Sequence, residues 1–432
     1  MTAPWHDLHL RTVTPAFLGR FDTAGPDPAP LPFPVPGLRG VLAYWLRALA
    51  GARVGNDIGR LHMVESAVFG AARSGDSGGP SPILLRADRV QFTEFQVGSA
   101  GDGLRYLMGP GLIVTKKQKD QPPYRCLLPH TTLRLRVRNI GSPAHADLFL
   151  SALWALRTFG GVGARARRGL GTVAVDQVPE SLATVRFDPA WLTRDTVADL
   201  GAVVGCVGSA ISDLRGISSG TAQTHGGTPS YPCFINGQYR HSPPDEDGLT
   251  GGADWRRALD LTGDQLFAFR HGANRRADDP PPRGTHSQTY TEVVQPFLNS
   301  GRPQHEPLIA GALGLPIPYS DHQGSPRADD PQRRRTQRRA MVDVLIDGKP
   351  ARRASPLWLR VRHDGSTWWL RSLAFFAEWL PPQERVQLRI TSGPRSANVD
   401  RPTEPQVRAE LQRWFGPAAD SGSVASPPSV TQ

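Results

Sequence analysis

Between Thr132 and Ile140 the sequence alternates strictly: Leu133, Leu135 and Val137 fall on one face, Arg134, Arg136 and Arg138 on the other. A period of two with an apolar side and a cationic side is a strand lying on a core with its outer face turned to water. The elements around it follow in a readable order. Residues 6–14 hold Leu8 and Leu10 in alternation and end at Thr14-Pro15, a strand running into a turn. Pro36 and Gly37 open a helix in which Leu38, Leu42, Trp45, Leu46 and Leu49 recur at helical spacing, Arg39 and Arg47 lie off the stripe, and Gly51 supplies a stop. A short helix over 61–69 ends at Gly70 and a strand follows within 82–90; beyond the Arg-faced strand come an apolar helix over 144–159 and a short strand over 171–175. The order is β-α-β-β-α-β, the split βαβ arrangement of ferredoxin-like domains, stretched here to about 180 residues by its loops. The longest loop, 91–131, holds the lysine-rich TKKQKD at 115–120.

The second half is less regular. Val197, Leu200, Val203, Val204, Val207, Ile211 and Leu214 mark a buried helix, with Gly201, Gly205 and Gly208 on a neighbouring strip that permits close packing. Residues 216–254, 271–290 and 321–340 are biased to Gly, Pro, Ser, Asp and Arg and are expected to be long loops or disordered. RADDP at 276–280 and 327–331 falls in that biased sequence and is taken as coincidence, not a repeat. Strands resume over 341–346 and 357–363, and His363-Asp364-Gly365-Ser366 turns the latter into a hairpin with 367–373. Residues 416–432 are expected to be a disordered tail.

Composition narrows the class. A chain of 432 residues implies two or three domains, and its 86 Gly and Pro exclude an all-helical or coiled-coil fold. The longest apolar windows, Leu200–Ser212 and Leu308–Ser320, fall short of the roughly 18 residues of a membrane span, and the N-terminus has no apolar signal segment. A cytoplasmic protein without membrane partners is expected. Cys126, Cys206 and Cys233 are too scattered for a disulfide framework or a CxxC metal site. The net charge of +11 favours a polyanion, with nucleic acid first, although 46 of the 50 Lys and Arg residues are Arg, a skew that a GC-rich genome also produces.

The densest cationic motif is GGVGARARRGLG at 160–171. Its glycines permit close passage of the main chain past a ligand with N–H groups exposed, and Arg165, Arg167 and Arg168 add charge without a carboxylate, a combination suited to phosphates. The dinucleotide fingerprint is excluded by context, because this motif follows a helix and opens a strand; no GxxxxGK[ST] occurs either. A basic surface loop with turn glycines is the structural alternative. RRRTQRR at 333–339 is an RNA-contacting arm or a solvated charge cluster, and Trp358, Arg360 and Arg362 share a strand face that either stacks a base or is ordinary exposed sheet. Trp45 is read as core. His62, His130 and His271 stand in no recognisable catalytic constellation, and no HxxxH or HExxH occurs.

A glycine- and arginine-rich loop after the last helix of a ferredoxin-like domain resembles the signature loop of the RAMP superfamily of CRISPR RNA-binding proteins. LRTVTPAFLG (10–19), PGLRGVLAYWLRALAG (36–51), LHMVESAVFG (61–70), GLPIPY (314–319) and RRASPLWLRV (352–361), in that order, resemble the branch that supplies the first RAMP subunit of Cmr, or type III-B, effector complexes. Ala43 stands where that branch often has a further Arg.

The resemblance implies an α+β fold of tandem ferredoxin-like (RRM-like) domains with long loop insertions, at 1–180 and 181–415. It further implies guide RNA and target RNA as ligands, other RAMP subunits as partners, and catalysis residing elsewhere in the complex. The residues expected to meet RNA are Arg39 and Arg47 on the first helix, Gly161, Gly163, Arg165, Arg167, Arg168 and Gly169 in the loop, and Arg352 and Arg353 ahead of the strand 357–363. No cofactor, metal or catalytic residue is expected. The competing classes are a metal-independent RAMP endoribonuclease that processes CRISPR RNA with a histidine, and a structural cap that touches only protein.

Overall fold

The computed structural model describes residues 3–18, 30–74, 77–95, 100–109, 112, 125–182, 184–214, 217, 227–243, 249, 254–272, 284–322 and 337–416. TKKQKD, both RADDP copies, residues 333–336 of the RRRTQRR run and the tail beyond Gly416 lie outside the described residues, as does much of the loops expected at 216–254, 271–290 and 321–340.

The first part is built from β1 (His6–Thr12), α1 (Val35–Val54), α2 (Ile58–Phe69), β2 (Ile83–Ala87), α3 (Asp102–Met108), β3 (Thr132–Asn139), α4 (Pro143–Phe159) and β4 (Val173–Gln177). Its sheet runs β4-β1-β3-β2 with every neighbour antiparallel, the strand order that the split βαβ connection dictates. Leu8 stands opposite Leu135 and Leu10 opposite Leu133, all four buried under the helices, while Asp7 and His9 face Arg136 and Arg134 across the open side. The alternation thus fixes which face meets α1 and α4.

Local chemistry sets the helix ends. In α1, Pro36 lies in the first turn and Leu38, Leu42, Trp45, Leu46 and Leu49 are buried. The helix does not stop at Gly51 but runs to Val54, where Gly55 takes φ +63° and donates to Gly51 O at 3.0 Å. Gly51 is instead a contact: a Cβ there would lie 2.6 Å from Cys233 Cβ. Asp57 caps α2 by accepting from Arg60 N at 2.8 Å, and Gly70 at φ +76° ends it.

The second part contains α5 (Leu200–Ser212), β5 (Tyr239–His241), α6 (Trp255–His271), α7 (Thr285–Thr289), α8 (Gln295–Ser300), β6 (Ile317–His322), β7 (Gln337–Ile346), β8 (Lys349–Ala351), β9 (Leu357–His363), β10 (Trp368–Phe375), β11 (Val386–Ser392), β12 (Arg395–Asn398) and α9 (Glu404–Arg413). In place of one further four-stranded sheet, its described strands form two: β5-β10-β9, and β6-β7-β11-β12 with β8 added on β7. The β9–β10 hairpin is pinned by Asp364, which accepts from Ser366 N at 2.9 Å and Thr367 N at 2.8 Å. Burial there is two-sided, which is why the alternation read from sequence does not show it as an interior strand.

The two cores cross residue 180 in both directions. α5 packs on α4 and α1, and Phe234, Trp358, Leu373 and Phe375 complete the first core around Trp45 and Phe159. Conversely Leu104, Leu107 and Met108 of α3 belong to the second core with Leu259 and Leu266 of α6. The α3–α6 crossing is glycine on glycine: a Cβ on Gly263 would meet Gly103 O at 2.0 Å.

Candidate nucleic-acid interface

The glycine loop starts where α4 ends at Gly160. Gly163 (φ +85°), Gly169 (+81°) and Gly171 (+70°) occupy the left-handed region, and added Cβ atoms would fall 2.3 Å from Phe17 O at Gly163 and 1.9 Å from Val162 O at Gly171. The close approach is therefore to the protein's own main chain. Val162 N–H donates to Gly171 O (2.8 Å), Ala164 to Phe17 O (2.7 Å), Arg168 to Arg165 O (2.7 Å) and Gly171 to Pro15 O (2.8 Å). The expected row of exposed N–H groups is thus corrected, because two of these donors close the loop on itself and two brace it against residues 15–17. Gly161 and Gly169 are buried and Gly163 is exposed; Gly161 leaves no room beside Leu170 O, 2.8 Å from where its Cβ would be.

The three loop arginines separate. Arg165 Nε donates to Met108 O at 2.9 Å, and Arg168 Nη1 reaches Tyr106 O and Leu107 O at 3.3 and 3.4 Å. Both therefore sit on the last turn of α3, where carbonyls lack helical partners and the dipole is negative. Burial and the neighbouring Arg270 push Arg168 down to about 10; burial also lowers Arg165.

Arg167 turns the other way. Its guanidinium lies 4.6 Å from the Trp358 ring centre and 5.5 Å from that of Tyr44, and donates to Ser355 O. Its carbonyl accepts from Leu359 N at 3.2 Å, so the loop is stitched to β9. Trp358 Nε1 donates to Tyr44 Oη at 3.2 Å. Burial raises the Tyr44 pKa, and Arg167, the Trp358 hydrogen bond, Arg353 and Arg47 pull it back.

Arg47 is 37% exposed and pairs with Glu65 at 2.7 Å, leaving the pair open to competition from an anionic ligand. Arg353 is half-buried, with its side chain on Glu378 O at 3.2 Å and its main chain bridged to Leu315; Arg352 is exposed. Arg167 is thus set over rings from α1 and β9, with Arg47 on the helix that carries Tyr44 and Arg353 ahead of the strand that carries Trp358. Arg39 is engaged elsewhere, tying α1 to Phe69 O and Ile83 O at 3.3 Å each.

The face formed by Trp358, Arg360 and Arg362 is not exposed sheet: the three are 5%, 1% and 8% accessible. Arg360 instead joins Arg157 and Arg371 around Asp195, at 3.2, 3.4 and 2.7 Å. A second cationic surface, seen in the alternation but not carried into the site, is the open face of the first sheet. Arg86 lies 4.7 Å and Arg138 5.9 Å from the Trp5 ring centre. Asp88 holds Arg134 at 2.8 Å and Arg136 at 3.5 Å, and Asp7 approaches Arg134 at 3.6 Å. Those carboxylates come from other segments, so the strand sequence gives no sign of them.

Among the described residues no three His, Cys, Asp or Glu side chains gather as a metal site, and no helix is long and apolar enough to cross a membrane. Burial pushes the Cys126 thiol up to about 12 and those of Cys206 and Cys233 to about 11. His62 reaches Ser66 at 3.4 Å, and His130 is exposed in a left-handed turn.

Residues 9–174 match the family model of the RAMP superfamily, a span that begins within β1, ends within β4 and so covers the N-terminal split βαβ unit. More particularly, the chain is similar to two Cmr subunits of Pyrococcus furiosus. It is 26% identical to CRISPR system Cmr subunit Cmr1-1 over 205 residues, 45% of this chain and 55% of that protein, and so spans about half of that relative. It is 27% identical to Cmr1-2 over 192 residues, 40% of this chain and 96% of that protein. The crystal structure of Cmr1 from the same organism, in its apo form, aligns over 88% of this chain and 90% of its own, with a TM-score of 0.52 and 16% identity, a likeness of fold.

Proposed function

We propose that this chain is a non-catalytic RNA-binding subunit of a type III-B CRISPR effector complex, contacting guide RNA or the guide–target duplex beside other RAMP subunits. The observation that supports this best is Arg167 set over the rings of Trp358 and Tyr44, with Arg47 on the helix of Tyr44 and Arg353 ahead of the strand of Trp358, at the seam between the N-terminal unit and β9. Such a group offers backbone phosphates charge without reading bases, and leaves sequence choice to guide pairing. The similarity to Cmr1-1 and Cmr1-2 supports the complex to which it is assigned.

Salt titration of binding to single-stranded RNA tests the reading. Replacing Arg47 and Arg167 by Gln should weaken binding at low salt and flatten the slope of log K against log salt by roughly 0.7 for each lost phosphate contact. Equal affinity and slope in the two proteins would remove the seam from the RNA-binding surface.

A further inference from the structure

At the ends of α3 and α6 lies a group of polar side chains for which no counter-charge is found among the described residues. Arg270, in the last turn of α6, is 8% accessible, and no hydrogen bond or ion pair from the described residues holds its guanidinium; Nε is fully buried without a partner among them. Arg168 of the glycine loop stands close enough to repel it. Beside them His286 of α7 stacks on Tyr319 of β6, with ring centres 4.7 Å apart. Among the described residues His286 Nδ1 also lacks a hydrogen-bond partner, and the hydroxyl of Tyr319, a side chain only 6% accessible, has Thr289 beside it. His271 meets His286 edge-on at 4.7 Å, and Tyr106 closes the group at 6.0 Å from His271.

The charges here do not balance internally. Glu410, a buried carboxylate of α9 in the same neighbourhood, is taken by Arg413 at 2.9 Å and Thr285 at 2.8 Å. The two helix ends offer only about half a negative charge each, and Arg165 and Arg168 already occupy the carbonyls of α3. Buried donors are satisfied in native proteins almost without exception, by protein, water or ligand. Here the unsatisfied atoms are a guanidinium nitrogen and an imidazole nitrogen, with a phenol beside them, donors of the kind that wrap a phosphate. His271, His286 and Tyr106 are only half-buried, so the group is reached from the surface.

We infer that Arg270, with Arg168, His286 and Tyr319, forms a receptor for one phosphate of an RNA strand, separate from the Arg47–Arg167–Arg353 seam. It deepens the RNA-binding reading by adding a second, enclosed contact, and it rests on that reading only for the source of the phosphate.

The test uses the full chain in phosphate-free buffer at low salt. Thermal melts are compared for the wild type, Arg270→Met, which keeps the volume and removes the charge, and Tyr319→Phe, which keeps the ring stack and removes the hydroxyl. The probes are inorganic phosphate and a single-stranded oligouridylate. The inference expects Arg270→Met to melt at or above the wild type without probe, because an uncompensated buried cation has been removed. Both probes should raise the wild-type Tm by several degrees more than that of Arg270→Met, with Tyr319→Phe between; the general effect of phosphate on stability cancels in that difference. An equal rise in all three proteins overturns the site, as does an Arg270→Met protein that melts well below the wild type and responds fully. A differential response to inorganic phosphate but not to the oligouridylate overturns RNA as the source. Oligouridylate binding that survives Arg270→Met unchanged but fails on loss of Arg47 and Arg167 overturns the receptor while leaving the seam intact.

Discussion

Arg371 Nη1 lies 2.7 Å from Asp195 Oδ1, and through that carboxylate the β9–β10 sheet is tied to α4. Arg360 of β9 and Arg157 of α4 share the same acceptor, and all three arginines are at most 4% accessible, whereas Asp195 is 21% accessible. Arg157 is pushed down to about 10 and Arg371 to about 9, in each case chiefly by burial. Replacing Asp195 by Asn therefore leaves three buried guanidiniums without a counter-ion, and breaking a buried pair in this way costs about 3–5 kcal/mol. Urea denaturation is expected to show a midpoint far below that of the wild type with the slope unchanged.

The same carboxylate gives stability a pH dependence. Arg360, Arg371 and Arg157 outweigh the burial penalty and hold the Asp195 pKa well below the usual carboxylate range. A depressed folded-state pKa contributes stability that is fully present above the unfolded value, about 4, and is lost as pH falls through the folded one. The Asp195→Asn protein should lack this part of the acid loss, so stability curves of the two proteins converge as pH drops below about 4. Parallel curves down to the acid limit would remove Asp195 as the coupling group.

Arg168 is expected to act on folding before it acts on RNA. Arg168→Ala gives up two carbonyl contacts at the end of α3 and the packing of its stem, a loss of about 1–3 kcal/mol in a denaturation midpoint. Arg47→Ala gives up one half-exposed pair with Glu65 and should leave the midpoint within about 0.5 kcal/mol of the wild type. The two loop-adjacent cations thus separate by the measurement they move.

What the sequence makes legible is what depends on local periodicity. Leu8, Leu133 and Leu135 settle the inner face of the first sheet, and the stripe from Leu38 to Leu49 settles the inner face of α1, because a period of two or 3.6 residues is a property of the segment itself. The destination of a charged side chain is not such a property. Arg360 looks like half of a basic face until Asp195, 165 residues away in the chain, is brought beside it. Gly163 and Gly171 look like room for a ligand until Phe17 O and Val162 O fill that room. The grouping of Arg270, His286 and Tyr319 has no sequence signature at all, since three separate elements supply it.

The segment before β9 gives the sharpest contrast between neighbouring residues. Leu359 is 1% accessible and belongs to the second core, while its N–H pairs with Arg167 O in the glycine loop. Leu359→Asp would place a carboxylate among apolar side chains with no cation arranged to meet it, and the protein should fail to fold, seen as loss of the cooperative melt. Arg352 and Arg353, adjacent in sequence, are expected to diverge. Arg352 is exposed, so Arg352→Ala should leave the melt unchanged and lower RNA affinity only modestly, through one lost backbone contact. Arg353 donates to Glu378 O, its main chain bridges Leu315 from both sides, and burial lowers its pKa. Arg353→Ala should therefore cost about 0.5–1.5 kcal/mol of stability as well as affinity, since the contact to Glu378 O and the packing of its stem are lost. Equal melts for the two single variants would show that the Glu378 contact does not hold this segment, and both arginines would then count as surface cations of the seam.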